Sequence, residues 1–265
     1  MSKNIIFSVW SDLTEEHTSV NDYKKKSFQI YKNKLIELQK KYAYYCEADY
    51  ELFKPTSTDY VNVQFDKIFK LEELCKYYDN VVYFDLDVIP NTKYNIFNSF
   101  NFDNICVYEY AIDITDRKTM RDISDHIQKR GNIPAMNRYS KVCAKNAMLL
   151  INDIVGNENI VNTGVVCGNK KSVDNLKFTE RMNEMNKILK EAIEDNLYPK
   201  EMSQSWVKNN EVYFSYILER YKIKFNNIGI QWNYILDNLI FKPTAAAHLI
   251  HQVNKDFHDT IPEFK

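Results

Sequence analysis

The sequence predicts a single α/β domain in which helices flank a mostly parallel central sheet. Strand-like and helix-like segments alternate as βαβαβ over the first 90 residues, which is typical of a parallel sheet. The run Val-Val-Tyr-Phe at 81–84 is continuously apolar, as expected of a strand that is buried on both faces. Residues 21–42 repeat apolar side chains at three- and four-residue steps, which gives a helix one apolar face.

The remaining elements follow from the same patterns. Strands are predicted at 5–10, 48–53, 81–84, 104–108, within 159–168 and near 223–227, and helices at 21–42, 60–78, 176–196 and 209–221. Residues 111–145 are polar and weakly periodic, which indicates a loop-and-short-helix insertion. The apolar segment 245–253 is expected to contain a late strand. We expect one domain over 1–265, with a Rossmann-like half to about residue 100 and a divergent half from about 101.

Composition excludes several classes of protein. The chain has 265 residues, of which 45% are hydrophobic and 27% charged, and its net charge of -1 offers no electrostatic case for a nucleic-acid partner. Only 5 residues are glycine, and the glycine-rich patterns of dinucleotide-binding and P-loop proteins are absent. The nucleophile elbow of α/β-hydrolases is absent as well.

Cysteine usage and hydropathy predict where the chain resides. The 5 cysteines are widely spaced and odd in number, so most are expected to be buried thiols in a reducing compartment. No apolar stretch approaches the roughly 20 residues of a membrane span, and no signal-peptide pattern opens the chain. We therefore expect a cytoplasmic protein without a membrane span.

The strongest functional pattern is an acidic pair after the third predicted strand. Asp85 and Asp87 follow the buried run 81–84, and ligands of α/β sheets bind beyond the carboxyl ends of the strands. Two buried carboxylates without a counter-charge would be costly, so a cation is expected. Oxygen ligands suit Mg²⁺ or Mn²⁺. The alternative is a solvated turn in which the two acids merely end a strand.

This acidic pair resembles the D-x-D motif of nucleotide-sugar-dependent glycosyltransferases of the GT-A fold. Other short segments resemble motifs of that family in the matching order, namely Phe65–Leu71, Asn162–Val166, Asn210–Phe214, Gln231–Tyr234 and His248–Lys255. The resemblance extends from Ile5 to about Lys255. Each motif is short, and their order and spacing make the resemblance specific.

The resemblance implies a single GT-A-like domain whose first 100 residues hold a nucleotide-sugar donor. It implies a Mn²⁺ or Mg²⁺ site formed by Asp85, Asp87 and His251, in which Asp85 also meets the donor. Lys67 and Lys255 would place positive charge beside the diphosphate of the donor. The other donor-binding positions that it implies are Val9, Trp10, Ser11, Leu86, Asn162, Thr163 and Gly164.

The second half is implied to bind the acceptor, a glycan or another hydroxyl compound. Glu211, Asn210 and Asp113 are the candidate catalytic residues, although the family usually has Asp where Asn210 stands. Glu109 is a further carboxylate that could serve as a base, and 111–145 is a candidate for acceptor recognition. A UDP-sugar is the favoured donor and a GDP-sugar the second. Retention and inversion of the anomeric configuration are both open.

Two other functions stay open from the sequence. In a phosphatase of the haloacid-dehalogenase type, Asp85 would be the nucleophile and Asp87 the general acid and base. That motif normally follows the first strand, however, and Ile89 replaces its threonine. A degenerate GT-A scaffold that binds sugars or nucleotides without catalysis is the other alternative. His251 and Trp10 also have purely structural interpretations as core residues.

Overall fold

A computed structural model of the protein describes residues 3–11, 22–56, 60–111, 134–199, 207–237 and 243–261. The chain divides into two compact units. The first unit comprises Met1–Tyr108, Thr163–Asp174 and Asn226–Lys265, and the second comprises Glu109–Asn162 and Asn175–Phe225. The single domain over 1–265 stays a prediction.

Strands and helices alternate early in the chain, and longer helices predominate in its middle part. The strands are β1 (Asn4–Val9), β2 (Asp49–Phe53), β3 (Asn80–Phe84), β4 (Val88–Pro90), β5 (Ile105–Ala111), β6 (Asn159–Gly168), β7 (Phe225–Asn227), β8 (Tyr234–Leu236) and β9 (Leu249–Gln252). The α-helices are α1 (Asp22–Tyr45), α2 (Tyr60–Leu74), α3 (Ile96–Ser99), α4 (Pro134–Leu150), α5 (Lys170–Leu176), α6 (Phe178–Glu194) and α7 (Asn210–Arg220). Single 3-10 turns cover Ile230–Trp232 and Phe257–Asp259.

The central sheet has six strands in the order β2-β1-β3-β6-β5-β7. Strand β1 lies parallel to both β2 and β3, with Ile5 opposite Asp49 on one side and Val81 on the other. Strand β6 runs antiparallel to β3 and places Val165 opposite Phe84. The predicted α/β class and the parallel βαβαβ start are confirmed, and the divergence begins at β6.

Apolar side chains from β1, β3 and α1 form the core of the first unit. One cluster surrounds Ile6, Val82 and Phe84, which are fully buried, together with Tyr42 from α1. Burying one such side chain stabilises the fold by about 1.5–3 kcal/mol. A second cluster joins α1 to the strands near the carboxyl end of β3, and its members are Phe28, Leu35, Leu38, Leu86, Ile89, Leu236, Ala247, Ile250 and Phe257.

A small second sheet of order β4-β9-β8 lies within the first unit. Strand β9 runs antiparallel to β4, with His251 opposite Val88, and parallel to β8, with His251 opposite Ile235. The predicted strand within 245–253 is therefore confirmed as β9. This pairing brings a late segment of the chain beside the residues that directly follow β3.

The second unit contains the main correction to the predicted elements. Helix α4 occupies Pro134–Leu150, so a loop-and-short-helix insertion is wrong for the second part of 111–145. The periodic signal is weak because two buried positions one turn apart are lysines, Lys141 and Lys145, which pair with Glu211 and Glu219. The predicted helix at 176–196 is confirmed as α6, and Lys177, whose φ is 47°, directly precedes it.

We expect Lys145→Met to destabilise the protein by about 3–5 kcal/mol, since removing one partner leaves a buried ionic group uncompensated. Only 1% of Lys145 is exposed. Its Nζ donates to Glu219 Oε2 at 2.7 Å and to the carbonyls of Asn157 and Asn159, both at 2.9 Å. Urea unfolding followed by circular dichroism measures the loss. Lys170→Met, at an exposed ion pair with Asp174, is the control, and an equal effect of both substitutions would contradict the expectation.

Four of the five cysteines are buried, as predicted, and all five are free thiols. Burial raises the pKa of Cys75 and that of Cys106 to about 12, which keeps both thiols protonated at neutral pH. Within the described residues, none of the helices combines the length and the apolar character that crossing a bilayer requires.

Candidate metal and donor site

A tight turn follows β3 and carries the predicted acidic pair. The Asp85 N–H donates to the Gly164 carbonyl at 2.8 Å, and the Val88 N–H donates back to the Asp85 carbonyl at 2.9 Å. Leu86, at the head of the turn, is 3% exposed and packs in the second apolar cluster. Because the backbone is fixed on both sides of Leu86, the side chains of Asp85 and Asp87 are held near one another.

The pairing of β4 with β9 brings His251 to this turn. The Gln252 N–H donates to the Asp87 carbonyl at 3.0 Å. His251 Nε2 lies 3.6 Å from Asp85 Oδ2 and 3.5 Å from Asp87 Oδ2. One ligand atom from each of the three residues lies within 4.8 Å of the other two, so the predicted metal-binding residues do come together.

The geometry and chemistry of the three side chains fit a divalent cation. Two ligand atoms that are each about 2.1 Å from one ion lie roughly 3.0–3.4 Å apart, depending on the coordination geometry. The distances from the imidazole to the two carboxylates, 3.6 and 3.5 Å, are slightly longer than that. Asp87 and His251 are each 4% exposed, and two buried or half-buried carboxylates on one turn provide the negative charge that a cation needs.

Lys67 and Lys255, which the resemblance implies to lie beside the diphosphate of a donor, lie against the two carboxylates in the structure. Lys67 Nζ lies 3.0 Å from Asp85 Oδ1 and 5.1 Å from the centre of the Tyr83 ring. Lys255 Nζ forms an ion pair with Asp87. The Tyr83 hydroxyl, which sequence reasoning missed, donates to Asp85. Each carboxylate is therefore matched by a cationic side chain of the same unit.

The electrostatics of the site keep Asp87 ionised. Burial alone would raise the pKa of Asp87, but the nearby charges of Lys255 and His251 outweigh burial and hold this pKa well below its usual range. Burial and the charge of Asp85 raise the pKa of Tyr83 well above its usual range. Tyr83 is therefore a hydrogen-bond donor at neutral pH, and Asp87 is a carboxylate anion.

Asn233 orients the histidine of the site. Its Oδ1 lies 3.0 Å from His251 Nδ1, and Asn233 is fully buried. When a cation is bound, a proton on Nδ1 that is donated to this oxygen would leave the lone pair of Nε2 directed at the ion. The preceding Trp232 is 8% exposed and packs in the first apolar cluster, which holds the segment in place.

We expect Asn233→Ala to weaken Mn²⁺ binding by about 10–100-fold, the usual cost of removing a residue that orients a metal ligand. Without the acceptor at Nδ1, the ring of His251 is free to rotate and to carry its proton on the wrong nitrogen. Titration of free Mn²⁺ by electron paramagnetic resonance measures the affinity. Asn98→Ala, at an exposed position of the same unit, is the matched control. Equal affinities for both variants and the wild type would refute the role of Asn233.

The other predicted donor positions of the first unit have different environments. Trp10 is half-buried and packs against Phe28 in a tilted arrangement with ring centres 4.6 Å apart, so its indole contributes to packing. Val9 and Ser11 on either side of it are also half-buried. Thr163 is fully buried. Gly164 presents its carbonyl to the turn, and Leu86 is a core residue whose side chain is unavailable to a donor.

The predicted acceptor-side residues that the structure describes lie in the second unit. Glu211 is 7% exposed, pairs with Lys141, and accepts a hydrogen bond from Asn162 Nδ2 at 2.9 Å. Asn210 begins α7 and is 3% exposed. Asp113 lies outside the described residues. Lys141 was missed because it falls in the segment predicted as an insertion.

Glu109, the further candidate base, has a separate environment in the second unit. It lines a cavity of about 90 Å³ together with Asn157, Asn159 and Glu219. Burial raises the pKa of Glu109 from its ordinary value. The charged groups that act on Glu109 are Lys145 and Glu219, which form an ion pair with each other.

The chain is similar to several solved structures at low sequence identity. A glycosyltransferase involved in the glycosylation of the major capsid of PBCV-1 is 14% identical, with a TM-score of 0.47, and the match covers 97% of this chain and 98% of that one. Mouse xyloside xylosyltransferase 1 is 11% identical, with a TM-score of 0.45 and coverage of 98% and 99%.

The galactosyltransferase LgtC, in complex with donor and acceptor sugar analogues, is 14% identical, with a TM-score of 0.40 and coverage of 94% of this chain and 87% of its own. No family model matches the chain, and no curated protein sequence matches it.

Proposed function

We propose that this protein is a metal-dependent glycosyltransferase that moves a sugar from a nucleotide diphosphate sugar to a hydroxyl group of a glycan. The observation that carries the proposal is the convergence of Asp85, Asp87 and His251, with Lys67 and Lys255 against the carboxylates. Two carboxylates and an imidazole suit a metal ion, and the two ammonium groups beside them suit the diphosphate that such an ion would bind. The acidic pair lies at the carboxyl end of a parallel strand, where α/β sheets bind their ligands.

Each group of the site has a part in the proposed reaction. When a sugar leaves its nucleotide, negative charge develops on the diphosphate. Asp85, Asp87 and His251 would hold a divalent ion that would supply Lewis-acid stabilisation of that charge. Lys255 and Lys67 provide fixed positive charge at the same place. Asp85, which is bonded to Lys67 and Tyr83, is the less buried carboxylate and is suited to contact both donor and metal.

The ligand set favours Mn²⁺ over Mg²⁺. Carboxylate oxygens suit both ions, whereas an imidazole ligand is typical of transition metals. His251 contributes its Nε2 to the group. We therefore expect Mn²⁺ to support binding at lower concentrations than Mg²⁺ does.

The acceptor side of the proposal rests on the second unit. Glu211 and Asn162 form a buried hydrogen-bonded pair, and Lys141 balances the charge of Glu211. A carboxylate compensated in this way is better suited to accept a hydrogen bond from a sugar hydroxyl than to remove a proton from it. We assign acceptor or sugar binding to Glu211 and Asn162, with Asn210 at the start of the same helix and Asp113 as the other candidates.

Thermal unfolding with a panel of nucleoside diphosphates, each with and without Mn²⁺, tests the donor assignment. A ligand at about 100 times its Kd adds about 2.7 kcal/mol of stability, which is a shift of roughly 5–10 °C for a chain of this length. We expect uridine diphosphate to give the shift only when Mn²⁺ is present, with guanosine diphosphate as the second candidate. Turnover is then measured as release of the nucleoside diphosphate from the matching sugar nucleotide.

Each outcome of this experiment has a clear meaning. A shift from one base that needs the metal supports the proposed donor class. The absence of a shift from every nucleotide would overturn the proposal, and hydrolysis of phosphate monoesters would then test the phosphatase alternative, in which Asp85 is the nucleophile.

A further inference from the structure

A buried glutamine on α1 contacts the turn that carries the acidic pair. Gln39 is fully buried. Its Nε2 donates to the Asp85 carbonyl at 3.0 Å and to the Val88 carbonyl at 2.9 Å. These two carbonyls lie at the beginning and the end of the turn, so one amide group holds both ends of the segment that bears Asp85 and Asp87.

The other side of the same amide is bonded to the central sheet. Gln39 Oε1 lies 2.7 Å from the Ser8 hydroxyl on β1 and 3.0 Å from the Tyr50 hydroxyl on β2. Ser8 is fully buried as well, and its hydroxyl also lies 2.7 Å from the Phe84 carbonyl, so its single hydrogen serves one of the two acceptors at a time. Gln39 therefore connects the turn to β1 and β2.

The orientation of this amide is determined by its partners. A carbonyl oxygen accepts and cannot donate, so only the NH₂ group of Gln39 can face the carbonyls of Asp85 and Val88. Both hydroxyls on the opposite side can donate to Oε1. Both donors of the buried amide are thus used, and its oxygen accepts from the Tyr50 hydroxyl even when the Ser8 hydroxyl bonds the Phe84 carbonyl. Every polar atom of the amide therefore has a partner, which is the condition under which a buried polar group confers a single arrangement on its surroundings.

We infer that Gln39 is a positioning residue for the metal site, since it fixes the distance between the two carboxylates by holding both ends of their turn. This inference rests on the proposed function. Gln39 does not touch the metal, the donor or the reacting atoms. It acts through the backbone of Asp85 and Val88, and Val88 in turn lies opposite His251 in the β4–β9 pairing.

The test is Gln39→Met, which keeps the length and volume of the side chain and removes both donors. We expect the Kd for Mn²⁺, measured by electron paramagnetic resonance without nucleotide, to rise about 10–100-fold, as for other residues that support metal ligands indirectly. Tyr50→Phe removes one bond to Oε1 and leaves both donors on the turn, so its Kd should equal that of the wild type.

Two further variants separate positioning from general stability. Leu74→Ala creates a cavity at the buried end of α2 and should lower the unfolding temperature without changing the Kd for Mn²⁺ in the folded protein. Gln39→Glu keeps the acceptor that faces Ser8 and Tyr50 but sets a carboxylate oxygen against two carbonyls. It should therefore weaken Mn²⁺ binding as Gln39→Met does, and it replaces that variant if Gln39→Met does not fold.

The outcomes distinguish this inference from the proposed function. Wild-type protein that fails to bind Mn²⁺ would overturn the proposed metal site itself. Wild-type protein that binds Mn²⁺ while folded Gln39→Met or Gln39→Glu binds it equally well would overturn only the role of Gln39. A loss of affinity in Leu74→Ala as large as that in the Gln39 variants would also overturn it, since the effect would then follow from stability alone.

Discussion

Asp87→Asn is expected to abolish the metal-dependent part of nucleotide binding and to lower turnover about 1,000-fold. Lewis-acid stabilisation of the transition state is worth several kcal/mol, and each 1.36 kcal/mol of activation free energy changes the rate about tenfold. The substitution keeps the shape of the side chain but removes its charge. Asp87 is the more buried of the two carboxylates, and its pKa lies below its usual range, so the wild-type residue is ionised at all working pH values. The shift in unfolding temperature with Mn²⁺ and nucleoside diphosphate measures the loss.

Asp103→Asn is the matched control for Asp87→Asn. Asp103 lies in the same unit and pairs with Lys171 at 2.8 Å, but both side chains of this pair are exposed, so its removal should leave metal binding and turnover unchanged. If Asp87→Asn retained the Mn²⁺-dependent shift, the assignment of Asp87 as a metal ligand would be wrong.

The same residue predicts how stability depends on pH. The pKa of Asp87 is lower in the folded protein than in the unfolded chain, where it is near 3.9. The stability that this carboxylate contributes is therefore present above about pH 4 and declines as the pH falls below that value. Asp87→Asn should lack this part of the acid-induced loss of stability, which acid titration of the unfolding temperature measures.

Lys255→Met is expected to change metal and nucleotide binding in opposite directions. The ammonium of Lys255 is paired with Asp87, so it competes with any cation for that carboxylate. Without nucleotide, the variant should bind Mn²⁺ about tenfold more tightly, a gain of about 1.4 kcal/mol that is modest for the removal of one adjacent positive charge. With Mn²⁺ present, its affinity for a nucleoside diphosphate should fall about 10–100-fold, because a charged hydrogen bond is worth about 1.5–3 kcal/mol.

The backbone conformation of residue 255 affects lysine and methionine equally. Lys255 has a φ of 66°, and both side chains pay the same conformational cost there, whereas glycine would relieve it. Its carbonyl accepts a hydrogen bond from the Ser27 hydroxyl, which Lys255→Met preserves. Lys171→Met, at the exposed pair with Asp103, controls for the loss of one positive charge. A variant at 255 that lost both metal and nucleotide affinity would contradict the competition between Lys255 and the metal.

The predictable part of the fold is the part in which burial and periodicity agree. The run 81–84 is apolar because β3 is buried between β1 and β6, and the charge of the acidic pair that follows it predicted a cation there. The spacing of Leu35, Leu38 and Tyr42 predicted α1. Gln39 could have been found from the same pattern, since it is a polar residue four positions after Leu35 on the buried face.

The unpredicted part depends on contacts that periodicity does not encode. Strands β4 and β8 have three residues each, too few for an alternation to be visible. The antiparallel direction of β6 depends on its partner β3 rather than on its own sequence. In α4, Lys141 and Lys145 occupy the buried positions at which an apolar residue would have revealed the helix, because acidic residues of α7 compensate their charge.

The pairing of β4 with β9 has a consequence for biosynthesis. His251 is added to the growing chain long after Asp87, and a ribosome that adds about 5–20 residues per second needs roughly 8–33 seconds to make the chain between them. During that interval the nascent turn bears two carboxylates, while β4 has neither its antiparallel neighbour nor an imidazole beside it. Under the proposed function, a chain that is terminated before β9 therefore carries the acidic pair without the histidine that completes the metal site.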